Sequence, residues 1–188
     1  MTLLVVGLAV FLGIHLVPLF PSLRRALAAR LGEGGYKGAF SLISAVGLVL
    51  IVMGFGRAPA TERVFAPFPV AIAIAPLAMT LAFILFAAAN MRGHLRKALK
   101  HPMLLGLLIW SSVHLLANGD LRGTVLFGGF LAYAVMDLVC ASSRNATKTF
   151  MPEVKFDVMA IVGGIAVALG VMTFHRMLFG VGVVNFGA

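Results

Sequence analysis

Three histidines and one aspartate stand inside long apolar runs: His15, His114, His175 and Asp137. An ionisable group in a bilayer is costly, which makes each of them a candidate for function. Neutral imidazole is the least costly of these groups, and its ring nitrogens ligate metals and haem iron. A single intramembrane histidine also serves as a hydrogen-bonding group between helices. Two from different helices could hold a haem iron between them. His101, Asn90 and Asn118 lie near the ends of runs, and His94, in a basic turn, reads as solvated.

The surroundings of His114 are the most informative. Trp110 and Ser111 precede it by four and three residues, which puts all three on one helix face. An indole against an imidazole with a hydroxyl one turn below makes a shaped polar pocket. The structural alternative is that Trp110 packs and Ser111 bonds back to its own helix. Asp137 in "AVMDLVC" is neutral, paired with a cation such as Lys100 or Arg144, or bonded to a histidine. A carboxylate orienting a ligand histidine is a common device of metal sites, and a simple helix–helix hydrogen bond is the alternative. From the rise per residue, His15 lies about 20 Å from the outer start of its helix, and Asp137 at a matching depth. His114 is offset from His15 by about 10 Å along the membrane normal, and His101 by a similar amount on the other side, so depth alone does not choose a pair.

Six apolar runs must position these groups: Leu3–Phe20, Ala39–Phe55, Phe68–Asn90, Met103–Leu116, Thr124–Cys140 and Val158–Leu178. Hydrophobic residues make up 61% of the 188 residues and charged ones 11%, with mean hydropathy +1.07. A soluble protein of this size could not bury that much apolar side chain. Alternation of period two is absent, which excludes a barrel. The expected fold is therefore an all-α integral membrane protein, one domain over residues 1–188, with about six transmembrane helices. The fourth run is short for a span, so the alternative is five spans with a re-entrant fourth segment. The first run lacks a basic leader and a clean cleavage site and is expected to stay.

The net charge of +9 would suggest nucleic acid in a soluble domain. Here it sits in short loops, the usual signature of membrane topology, and nucleic-acid binding is set aside. Arg24, Arg25, Arg30 and Lys37 follow the first run, Arg92, Arg96, Lys97 and Lys100 the third, and Arg144, Lys148 and Lys155 the fifth. Only Arg57, Arg63, Arg122 and Arg176 lie on the opposite side. The larger group belongs in the cytoplasm, which leaves both termini outside. The segment "PSLRRALAARLGEGGYKG" has leucines four residues apart and reads as a short interfacial helix that stops at the Gly34–Gly35 pair. Cys140 is the only cysteine, which rules out an internal disulfide and a cysteine-based zinc site.

The stretches "GLAVFLGIHLVPLFPSLRRALAARLGEGGYKGAFSLISAVGLVLIVMGFG", "KHPMLLGLLIW" and "HLLANGDLRGTVLFGGFLAYAVMD" resemble the NnrU family of bacterial membrane proteins over nearly the whole chain. That family is named for a member linked to the expression of nitrite and nitric oxide reductases in denitrifiers. It is related to zeta-carotene isomerase, a membrane enzyme that carries haem b on two histidines and isomerises a cis double bond in a polyene. The resemblance implies haem b here, with His15 and His114 as axial ligands, Trp110, Ser111 and Asp137 around them, and His101 as the alternative. The cysteine that serves the enzyme as a second iron ligand falls on Ser111, where this sequence departs.

Three functions follow from these readings. The first is haem b binding in the bacterial inner membrane, with isomerase-like chemistry on an apolar polyene. The second is a non-enzymatic haem, redox or nitric oxide sensor serving a nitrogen-oxide respiratory component. A looser likeness of "KHPMLLG" to isoprenylcysteine methyltransferases gives the third, with His101 as the acting residue. The lipid bilayer is the one partner common to all three.

Overall fold

The computed structural model describes residues 1–143, 149–180 and 183. It contains seven α-helices: α1 Thr2–Leu16, α2 Pro21–Arg57, α3 Pro69–Ala88, α4 His94–Leu99, α5 Pro102–Asn118, α6 Leu121–Ser143 and α7 Val154–Phe179, with no β-strand among the described residues. In lipid every backbone polar group must be satisfied within the chain, and long apolar segments meet that demand as helices. Five helices are long and apolar enough to cross a membrane: α1 with its 3₁₀ extension to Leu19, α2, α3, α6 and α7. The fourth predicted run becomes α5, which takes in Pro102 and Ala117–Asn118 to reach 17 residues, a length of about 25 Å.

Prolines set three of the seven helix starts. Pro21, Pro69 and Pro102 each open a helix, where a missing N–H costs nothing and the fixed φ is already helical. Phe20 and Phe68, each just before a proline, are extended, as the ring of the following residue requires. α2 is two helices joined at Gly32, whose φ of 73° and ψ of 157° are non-helical. The interfacial helix expected after the first span therefore ends at Gly32. Gly34 and Gly35 stay helical, because one positive-φ residue is enough to turn the chain.

The chain forms two compact units, Met1–Ala66 with Asn118–Tyr133, and Pro67–Ala117 with Ala134–Ala188. In the first, α1 lies against α2 at glycines. A Cβ on Gly7 would stand 2.6 Å from Ile51 N, one on Gly47 2.7 Å from Phe11 N, and one on Gly54 would meet the Leu4 backbone. In the second, Gly164 of α7 leaves 2.5 Å between an added Cβ and Ile84 Cα of α3, and Gly106 of α5 faces Phe86 and the Ala82 carbonyl of α3. Lipid tails are as apolar as leucine, so helices associate through such close contacts rather than through the hydrophobic effect. The large side chains point away from them: Val70, Leu77 and Val139 are among the most exposed residues.

The turn between α5 and α6 belongs to the first unit from Asn118 onward. Gly119 takes a φ of 73° and its carbonyl accepts from Val64 N at 2.9 Å and Phe65 N at 3.2 Å. Asp120 Oδ1 accepts from Gly123 N at 2.6 Å, which caps α6. Arg122 donates to the carbonyls of Phe55 and Ala58 at the end of α2 and lies 4.5 Å over the Phe55 ring. The polar cluster "ANGDLRG" thus ties the end of α2 and the α2–α3 loop to the start of α6.

Candidate functional site

His15 lies in the last turn of α1, half-buried. Its Nδ1 is 2.7 Å from the carbonyl oxygen of Phe11. A carbonyl only accepts, so Nδ1 carries the proton and Nε2 is the basic nitrogen. The ring stacks on Phe11 at 4.3 Å and meets Phe40 of α2 edge-on at 5.0 Å and Tyr133 of α6 at 6.2 Å. All four residues are in the first unit. Aromatic walls of this kind limit water and hold the imidazole plane.

His114 repeats the arrangement in the second unit. Its Nδ1 is 2.9 Å from the carbonyl oxygen of Trp110, one turn earlier on α5, and the two rings are 5.2 Å apart. The bond again leaves Nε2 as the basic nitrogen. An imidazole that donates Nδ1–H to a carbonyl and presents Nε2 is oriented as metal-bound histidines usually are. Of the α5 residues only Met103 and Leu116 are exposed, so the helix that carries His114 is at least partly covered along most of its length.

Ser111 is fully buried. Its hydroxyl donates to Leu107 O at 2.6 Å, with Leu108 O at 3.3 Å. Of the two readings of this serine, the bond back to its own helix is the one observed. Asp137 is half-buried on α6 and falls in the same unit as His114, whereas His15 belongs to the other. Arg144, one cation considered for Asp137, lies outside the described residues, as does Lys148. His175 is near the end of α7, with its ring 4.8 Å from Phe179. His101 stands immediately before α5, thirteen residues from His114 and about 20 Å from it along the helix, so the two cannot share one metal.

His94 stays solvent-exposed, as expected, and it is also bonded. Asp157 at the start of α7 accepts from His94 N at 2.9 Å, His94 Nδ1 at 2.8 Å and Leu95 N at 2.9 Å. It thereby caps α4, whose own N-cap, Gly93, has no side chain to do so. Gly93 is needed there, because a Cβ would collide with the Asp157 carboxylate. Partners 63 residues apart leave no spacing signal, so Asp157 does not stand out in the sequence. Gly93, His94 and Asp157 are each visible in the sequence, but their meeting is not.

No group of three or more His, Cys, Asp or Glu that could hold a metal ion exists among the described residues. A family model described as NnrU protein matches residues 3–183. No curated protein and no solved structure matches the chain.

Proposed function

The chain belongs to the NnrU protein family, and from that premise we propose that it is a membrane haem b protein with His15 and His114 as axial ligands. The observation that carries the reading is the shared hydrogen bond: each imidazole gives its Nδ1 proton to the carbonyl four residues earlier. Each ring is thereby held at Nδ1, which makes Nε2 the nitrogen that would meet iron, and it cannot swing away without breaking a bond in a low-dielectric setting. The fit extends to the walls, where Phe11, Phe40 and Tyr133 around His15 suit a flat apolar group. Haem b supplies a redox-active iron whose potential follows ligand identity and burial. Trp110 serves through its carbonyl, and Asp137 is a positioning residue on the side of His114.

Ser111 separates isomerase-like chemistry from sensing. Exchange of an axial ligand would need a thiolate at this position, but the hydroxyl is spent on Leu107 O. A serine hydroxyl is also a poor iron ligand. This favours a non-enzymatic redox or nitric oxide sensor that serves a nitrogen-oxide respiratory component in the bacterial inner membrane. The methyltransferase-like reading has no comparable support, and His101 takes no ligand role.

The visible spectrum of the purified protein, expressed with added haem, tests the ligand pair. A Soret band is expected in the wild type and in His101→Ala, and its loss or marked shift in His15→Ala and in His114→Ala. A wild-type protein without the band would sink the proposal. Expression in a strain lacking zeta-carotene isomerase then tests the sensor reading, for which no rescue is expected.

A further inference from the structure

α4 ends at Leu99, and His101 N donates to Leu99 O at 2.6 Å across Lys100. With φ 61° and ψ −52°, Lys100 is the centre of a γ-turn of the rare, strained hand. It is the only residue other than glycine with positive φ among the described residues. Strain of this kind persists only where the surroundings enforce it, and it gathers at binding sites. Here it holds Lys100 and His101 at the rim of a cavity of about 470 Å³, whose wall also includes Arg96, Lys97 and Phe150. A second hollow shares Arg96 and Phe150 with the first and adds Arg92.

Four cations thus line a cleft of two adjoining hollows within the second unit, three in the first and two in the second, with Arg96 common to both. Three ion pairs are formed among the described residues, Arg24–Glu33, His94–Asp157 and Lys155–Glu153, and none of them uses Arg92, Arg96, Lys97 or Lys100. Among the described residues Glu153 is the only carboxylate in either wall, and Lys155 holds it at 2.6 Å. The Arg96 guanidinium is fixed 5.5 Å over the Phe150 ring, so its planar fork is already oriented. Charges that served only to set topology would not need to line a hollow or keep a lysine in a strained turn.

We propose that this cleft binds a phosphate group. A carboxylate has a single charge and a planar pair of oxygens. A phosphate presents several oxygens in three dimensions, which suits an oriented arginine with flexible lysines around it. The volume is that of a ligand site rather than of one ion. Met103 and Leu104 in the same wall give an apolar side beside the cations, as a phospholipid would need. The phosphate could also belong to a soluble metabolite. At the cytoplasmic interface, where the positive-inside rule puts this loop, basic pockets meet lipid headgroups.

The test uses the full chain in detergent. Native mass spectrometry compares retention of phosphatidylglycerol with that of phosphatidylcholine, and calorimetry measures binding of inorganic pyrophosphate. The site variant is Arg96→Gln with Lys100→Gln, and Lys97→Gln is a milder second one. The control is Arg25→Gln with Arg30→Gln, an equal charge loss in the first segment of α2. Size exclusion and circular dichroism confirm the fold of each. Phosphatidylglycerol retention that falls about tenfold or more in the site variant, but not in the control, supports a lipid phosphate. Pyrophosphate binding with the same dependence supports a soluble source. Equal losses in the site variant and the control, or no dependence on Arg96 and Lys100 in either assay, would overturn the proposal.

Discussion

At the scale of single residues, direction matters more than proximity. Ser111 stands one turn from His114 on the same face of α5, yet its proton goes to Leu107 O, so it shapes the helix rather than the ligand set. Ser111→Ala is accordingly expected to cost less than about 1 kcal/mol in stability, because the carbonyl keeps its helical partner. It is also expected to leave the Soret maximum where it is, and a shifted maximum would give the hydroxyl a part in binding. Asp157 is the opposite case, a side chain whose whole use is remote. Asp157→Ala strips three acceptor contacts from the start of α4. Faster hydrogen exchange is predicted at Leu95 and its neighbours, with α3 unchanged. Protection that survived the substitution would show that α4 does not depend on this cap.

At the scale of elements, the glycine pair in α7 makes a sharp comparison. A Cβ on Gly164 would stand 2.5 Å from Ile84 Cα, whereas one on Gly163 meets nothing within 4 Å. Gly164→Ala must push α7 off α3 and should cost about 1–3 kcal/mol. Gly163→Ala fills open space with a better helix former and should be neutral or stabilising by up to about 1 kcal/mol. Thermal unfolding in detergent distinguishes the two, and equal effects would refute the packing assignment. This pair also shows where sequence reading ends. The spans are legible because an apolar run of sufficient length has one solution in lipid, and helix starts are legible at Pro21, Pro69 and Pro102. Which of two adjacent glycines faces a neighbour, and which helix that neighbour is, depends on pairings that no local pattern encodes. The candidate site divides in the same way. His15, His114, Trp110 and Ser111 could be named from type and spacing, and the i−4 direction of Ser111 was one of two readings. The Asp157 cap and the turn at Lys100 arise only once distant segments meet.

At the scale of the whole molecule, the number of crossings is a question of parity. Five helices are long enough to span on their own, and α5, at 17 residues, is the shorter apolar helix whose crossing decides the count. A re-entrant segment has to reverse direction within the membrane, whereas α5 runs from Pro102 to Asn118 as one unbroken helix. Its length of about 25 Å falls short of a hydrocarbon core of about 30 Å. That shortfall matters little for a helix with only Met103 and Leu116 exposed, since mismatch is a cost of contact with lipid. The cations agree with an even count: Arg24, Arg25 and Arg30 before Gly32, Arg92, Arg96, Lys97 and Lys100 around α4, and Lys155 at the start of α7 all fall on one side only if α5 crosses. Epitope tags at the two termini are therefore expected to be accessible together from outside the intact membrane, while a cysteine introduced at Lys97 in a Cys140→Ser background is labelled only after permeabilisation. Tags on opposite sides would mean five crossings and would put Lys155 across the membrane from the cations around α4.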